Sequence, residues 1–148
     1  MKTKNAITVR PTPALSELKR ASNLIRITEK ILATPTVPAR NRTDEHGRKH
    51  GQWVERFADG GVQEGLYVDG KRHGRWVVRL ADGDVHVGPM VDGKRHGKWV
   101  FQAPDSITEG SYVEGKMHGM WLYVPANGEE SLTCWKNGNK IDNTMDCL

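Results

Sequence analysis

Long apolar runs are missing from this chain. No stretch approaches the roughly 20 residues that a membrane-spanning helix needs. The N-terminus lacks the apolar core of a secretory signal. A cytoplasmic protein is therefore expected, with peripheral membrane association open. The basic, Ser- and Thr-containing start also leaves organelle targeting open, although Glu17 and Glu29 count against it. Cysteine is scarce, with only Cys134 and Cys147. No histidine lies near enough to join them in a zinc site. A disulfide is open to them in an oxidising compartment, but without a secretory signal two free thiols are expected. Catalytic signatures are missing too: no nucleophile elbow, no phosphate-cradling glycine loop, and no spaced carboxylates beyond those at turns. No enzyme activity, cofactor or metal is expected.

Glycine is plentiful, at 16 residues, while hydrophobic residues make up only 36%. Such a composition builds turns more easily than a thick core. Charge is unevenly placed. Met1–Lys49 carries eleven Lys/Arg against four Asp/Glu, and the remainder carries eleven against fourteen. A basic leading segment thus precedes a mildly acidic body.

Self-comparison exposes a repeat. Rows begin at His50, His73, His96 and His118, with spacings of 23, 23 and 22 residues. His46-Gly47-Arg48-Lys49 matches the end of a row, so an earlier fragment precedes the first. Each row reads as two short strands and two turns. Asp59-Gly60, Asp82-Gly83 and Asn127-Gly128 mark hairpin tips, because glycine tolerates the positive φ such turns need. The third row has Pro104-Asp105 instead and is one residue shorter, so its tip is shaped differently. Asp69-Gly70, Asp92-Gly93, Glu114-Gly115 and Asn137-Gly138 lead into the next row. The expected fold is all-β: an elongated single-layer antiparallel meander of four β-hairpins and about eight strands, spanning residues 46–140, with a tail over 141–148.

The run Tyr67-Val68-Asp69-Gly70-Lys71-Arg72-His73-Gly74 and its copies resemble the MORN repeat (membrane occupation and recognition nexus). Glu64-Gly65 and Glu109-Gly110 supply the Glu-Gly pair that precedes the aromatic position in that family. The resemblance covers about 95 residues. Trp53, Trp76, Trp99 and Trp121 stand where many members carry glycine, a variant most like bacterial-type arrays. Met90 and Trp135 replace the usual Tyr, and Thr133 replaces the Gly. The resemblance implies protein–protein contact, sometimes with binding of acidic phospholipid.

Three columns follow from the row alignment. Rows are two strands wide, so equivalent residues recur about every 10 Å. The aromatic column holds Trp53, Trp76, Trp99 and Trp121, with Phe101 and Tyr123 on the same face by period-two alternation and Tyr67 and Tyr112 at the family's aromatic position. Core packing is the preferred reading; an exposed groove for a partner peptide or helix is the alternative. The histidine column is too widely spaced to share a metal, and capping of the turns between rows suits it better. The basic column holds Arg48, Lys49, Lys71, Arg72, Arg75, Lys94, Arg95 and Lys98 along one edge, opposite acidic hairpin tips. It reads first as a solvated edge that discourages strand pairing, and second as a ribbon for lipid headgroups or an acidic protein. Nucleic acid fits less well, since its phosphates are closer than 10 Å and Asp69, Asp92 and Glu114 interrupt the row.

Residues 1–45 form the basic segment. Leu15, Leu18, Ala21, Leu24, Ile25, Thr28, Ile31 and Leu32 recur at helical spacing, predicting an amphipathic helix over about 14–33, ended by Pro35 and Pro38. It has three destinations: its own sheet, a partner protein, or an anionic membrane. The expected function is a non-enzymatic scaffold or assembly module. The alternative is a peripheral binder of acidic phospholipid. Pairing of edge strands Gly51–Phe57 or Glu129–Trp135 would give a homodimer.

Overall fold

A computed structural model describes residues 41–147. The helix expected over 14–33 lies outside them. The described chain is an antiparallel meander of eleven strands, each paired with its neighbour in sequence. They are β1 (Arg42–Thr43), β2 (Lys49–Arg56), β3 (Val62–Val68), β4 (Lys71–Arg79), β5 (Val85–Val91), β6 (Lys94–Arg95), β7 (Gly97–Ala103), β8 (Ser106–Val113), β9 (Lys116–Pro125), β10 (Ser131–Lys136) and β11 (Asn139–Ile141). The strands β6 and β7 both pair with β5 and form one strand interrupted at His96. The short β1 and β11 extend the sheet beyond the expected eight. The stretch assigned to a tail completes β11 and then makes a 3-10 turn over Thr144–Cys147.

Turn chemistry explains the meander. At each junction between rows both central residues take positive φ: Asp69 and Gly70 (50° and 78°), Asp92 and Gly93 (48° and 82°), Glu114 and Gly115 (51° and 80°), Asn137 and Gly138 (52° and 85°). Two successive positive φ values define the hairpin turn whose twist matches that of its strands. The first two tips are three-residue loops. Gly60 N–H donates to Phe57 C=O (3.1 Å), Phe57 N–H donates to Gly61 C=O (2.8 Å), and Leu80, Gly83 and Asp84 repeat the pattern. In the third row Ala103 pairs directly with Ser106, leaving a two-residue Pro104-Asp105 tip. The fourth tip departs from expectation: Gly128 is not among the positive-φ glycines. Five residues separate Pro125 from Ser131 there, enough to turn without it.

The His-Gly pair does more than start a strand. Gly51, Gly74, Gly97 and Gly119 all have positive φ, between 65° and 79°. Gly65 pairs with Trp76 and Leu66 with His73, so Gly74 and Arg75 have no partners on β3. On its other side β4 stays in register, with Gly74 opposite Met90 and Trp76 opposite Gly88. The register slips in the same way between β8 and β9. Such a bulge bends the strand and increases its twist. Here it aims Trp76, Trp99 and Trp121 at the strand before each.

Candidate functional site

Trp76, Trp99 and Trp121 each lie on a glycine of the preceding strand. A Cβ added at Gly65, Gly88 or Gly110 would collide with the ring of Trp76, Trp99 or Trp121. The bulge also brings an acceptor into reach. Trp76 Nε1–H donates to Leu66 C=O (3.1 Å) and Trp99 Nε1–H to Pro89 C=O (2.9 Å). Trp121 Nε1 has no acceptor among the described residues. Thr133 takes the fourth glycine position, and no tryptophan follows to lie on it. Its hydroxyl accepts a hydrogen bond from Trp135 Nε1–H (2.9 Å).

The alternate strands fill the gaps between tryptophans. Tyr67 meets Trp53 and Trp76 edge-on, with centroids 5.9 and 5.1 Å away. Tyr112 does the same between Trp99 and Trp121, at 6.3 and 5.2 Å. Met90 takes the intervening position in the same buried cluster. Phe101 stacks on Trp99 and Trp121. Trp76, Trp99, Trp121 and Tyr67 are buried, at 1%, 1%, 4% and 7% exposure. At roughly 25 cal/mol per Å² and 150–250 Å² per large aromatic, each buried ring contributes about 4–6 kcal/mol. The packing reading of the column therefore fits these four residues. Of the proposed aromatic groove, only Trp53, Phe101, Tyr112 and Tyr123 retain accessible surface, and Tyr123 alone is exposed.

The basic column divides in two. Neighbouring residues on a strand point to opposite faces, and Lys49, Arg72 and Arg95 fall on the tryptophan side. The Arg72 guanidinium lies 4.7 Å from the Trp76 ring. Arg95 lies 4.7 Å from Trp99 and 5.4 Å from Tyr112, and its Nη1 donates to the Tyr112 hydroxyl (3.2 Å). Lys49 covers Trp53 and Tyr67 and pairs with Glu55. These three cations are lids on the core, because a guanidinium or ammonium is held by an aromatic face. At the end of the third row Met117 stands in the position that Arg72 and Arg95 occupy in the first two.

Around Lys49 a polar network replaces aliphatic packing. Glu55 Oε2 accepts from Gln63 Nε2 (2.6 Å) and from the Tyr67 hydroxyl (3.2 Å). Burial alone would raise the Glu55 carboxyl, but the hydrogen bond and charge of Lys49, with Tyr67 and Gln63, hold it below its usual range. The Glu55 hydrogen bond in turn raises the Lys49 ammonium.

The remaining cations point the other way. Arg48 pairs with Asp44 (2.8 Å) and Asp69 (3.3 Å), Lys94 with Glu114 (3.3 Å), and Lys98 with Glu109 (3.0 Å). Lys71 and Arg75 are exposed. The edge thus alternates in sign, and the exposed pairs Arg48–Asp69 and Lys94–Glu114 are each worth about 0–1 kcal/mol, whereas Lys98 meets a buried Glu109. Two histidines do cap turns, weakly: His96 Nδ1 accepts from Glu114 N–H (3.5 Å) and His118 Nδ1 from Asn137 N–H (3.4 Å).

One surface column escaped the sequence reasoning. Val68, Val91 and Val113 are 37%, 37% and 41% exposed at the same place in three rows. They stand directly opposite Lys71, Lys94 and Lys116. Directly opposite residues share a face, so each row presents a valine beside a lysine. The signal was present as a valine before the junction pairs Asp69-Gly70, Asp92-Gly93 and Glu114-Gly115, but period two alone does not say which face lies open.

Cys134 and Cys147 are joined in a disulfide, with Cα atoms 5.8 Å apart. This overturns the expected free thiols. That expectation rested on compartment, whereas β11 and the 3-10 turn double the chain back onto β10. The dimer edges are also partly covered: Asn41 bonds to Gln52 and Val54 within Gly51–Phe57, and β11 pairs with Cys134 and Trp135 within Glu129–Trp135. No described helix is long and apolar enough to cross a membrane. No protein-family model and no curated protein matches the chain.

Proposed function

We propose that this chain is a non-enzymatic, MORN-type interaction module, a scaffold or assembly subunit that binds a partner protein. The observation that carries this reading is the repeated Val–Lys pair on an open face. Val68 beside Lys71, Val91 beside Lys94 and Val113 beside Lys116 recur row by row, while the tryptophans are spent on the core. Val68, Val91 and Val113 leave 37%, 37% and 41% of their surface in water, and their spacing of about 10 Å suits a segment lying across the strands. The partner that fits carries carboxylates beside apolar side chains. Its carboxylates compete with the turn acid Glu114 for Lys94.

The reading moves the binding surface from the aromatic column to this stripe. Lipid binding through the basic edge draws less support, because Lys49, Arg72 and Arg95 serve as lids and Arg48 is already paired. The test compares the full chain with Val68→Ser/Val91→Ser/Val113→Ser and with Lys71→Glu/Lys94→Glu/Lys116→Glu. All three are checked for an unchanged unfolding midpoint. Quantitative capture of protein partners should fall for both variants. Partners retained by both remove the stripe as the site. Flotation with anionic vesicles that only the lysine variant abolishes, without any protein captured, favours the phospholipid alternative.

A further inference from the structure

The first and last edges of the sheet are closed by different means. At the first, the Asn41 side chain imitates a strand: its Nδ2–H donates to Val54 C=O (3.1 Å), and its Oδ1 accepts from Val54 N–H (2.9 Å). Those bonds are local and noncovalent. At the last edge the strap from Asn137 onward covers Cys134, Trp135 and Lys136 through the three residues of β11. Apart from the half-buried Ile141, β11 is exposed, so little apolar burial holds it down. The covalent tie is the Cys134–Cys147 disulfide, whose Cys134 end is fully buried.

The strand beneath the strap is suited to pairing. Ser131-Leu132-Thr133-Cys134-Trp135-Lys136 has neither proline nor glycine and is rich in strand-forming residues. Leu132, 56% exposed, lies outside the part that β11 covers. An uncovered edge strand is a template for another strand. Two copies of β10 also fit each other. In an antiparallel, two-fold register centred on Cys134, Leu132 of one copy faces Lys136 of the other, and Thr133 faces Trp135. No like charges are opposed, and each lysine stem lies along a leucine.

We propose that the C-terminal strap is a redox-controlled guard on the edge of β10, and that the occupant admitted on reduction is β10 of a second copy of this chain. The opening chemistry is thiol–disulfide exchange with an external dithiol. One thiolate of the dithiol attacks Sγ of Cys147, the less buried end, and Cys134 leaves as a thiolate that takes up a proton. The second thiolate of the reductant then displaces Cys147, which is also protonated. The reductant ends as a disulfide and the protein gains two thiols.

The test uses the full chain, oxidised or reduced with dithiothreitol and alkylated, together with Cys147→Ser. Sedimentation equilibrium gives the mass, and amide exchange gives protection strand by strand. The oxidised chain should be monomeric. The reduced chain and Cys147→Ser should dimerise, with β11 amides losing protection and Ser131–Lys136 keeping theirs as concentration rises. Leu132→Lys, which sets lysine against lysine across the two-fold register, should abolish the reduced dimer while the buried tryptophan emission stays unchanged. A reduced chain that remains monomeric overturns the proposal. So does a dimer that forms equally when oxidised, or one that Leu132→Lys leaves intact.

Discussion

Alanine at position 88 sets one methyl group against the Trp99 ring. A Cβ there collides with Cγ, Cδ2 and Cε2 of the indole. The ring has nowhere to retreat. It is 1% exposed, lies beneath Arg95 at 4.7 Å, and is held by its N–H bond to Pro89 (2.9 Å). Overpacking a filled core costs about 1–3 kcal/mol. Losing the indole hydrogen bond adds about 1 kcal/mol, and loosening the Arg95 contact about 0.5–1 kcal/mol. Gly88→Ala is therefore expected to destabilise the fold by roughly 2.5–5 kcal/mol on these terms. Trp99→Ala alone should cost about 3–5 kcal/mol. The double variant is decisive. With the ring gone, alanine at 88 has nothing to strike and recovers about 0.5–1 kcal/mol of the backbone entropy cost of a strand glycine. Urea unfolding followed by far-UV circular dichroism measures all four corners of the cycle. Equal costs for Gly88→Ala with and without Trp99 would refute the glycine platform.

Two further expectations follow from the lids and the titrating groups. Arg95→Met, which copies Met117 at the end of the third row, should cost no more than about 1–2 kcal/mol in the same unfolding assay, because a thioether also covers an aromatic face; a loss above that would show Arg95 does more than cover the core. Burial first, and the charge of Arg95 second, push the His86 imidazole below its ordinary 6.5. The unfolded chain then binds a proton that the native state resists, so this stability is present above about pH 6.5 and is lost as the pH falls toward the native value. His86→Gln should flatten that part of the stability–pH curve, and an unchanged slope between pH 7 and 5 would contradict the assignment.

How far the sequence could be read depends on the range of the physics. Asp69-Gly70, Asp92-Gly93 and their copies act through a few neighbouring residues, so the junction turns and the order of strands were legible directly. The Pro104-Asp105 tip was legible as an exception for the same reason. Asn127-Gly128 was misread, because the spacing to Ser131 allowed a longer loop that does not need the glycine. The coupling between Gly65 and Trp76, or Gly88 and Trp99, is also written in the chain, as a constant separation of eleven residues. Its meaning becomes apparent only once the bulge at Gly74 or Gly97 slips the register.

The repeat, the all-β class and the row boundaries were determined by the sequence itself, because turn geometry and period two are local. What tertiary structure decided is which side chains of each column are used up. Alternation places Lys71 and Arg72 on opposite faces, but only packing makes one a surface cation and the other a lid on Trp76. The exposed valines became visible by the same subtraction. The disulfide was the least legible feature, since Cys134 and Cys147 meet only when β11 folds back on β10. Contacts of that kind depend on the path of the chain rather than on the preferences of its residues.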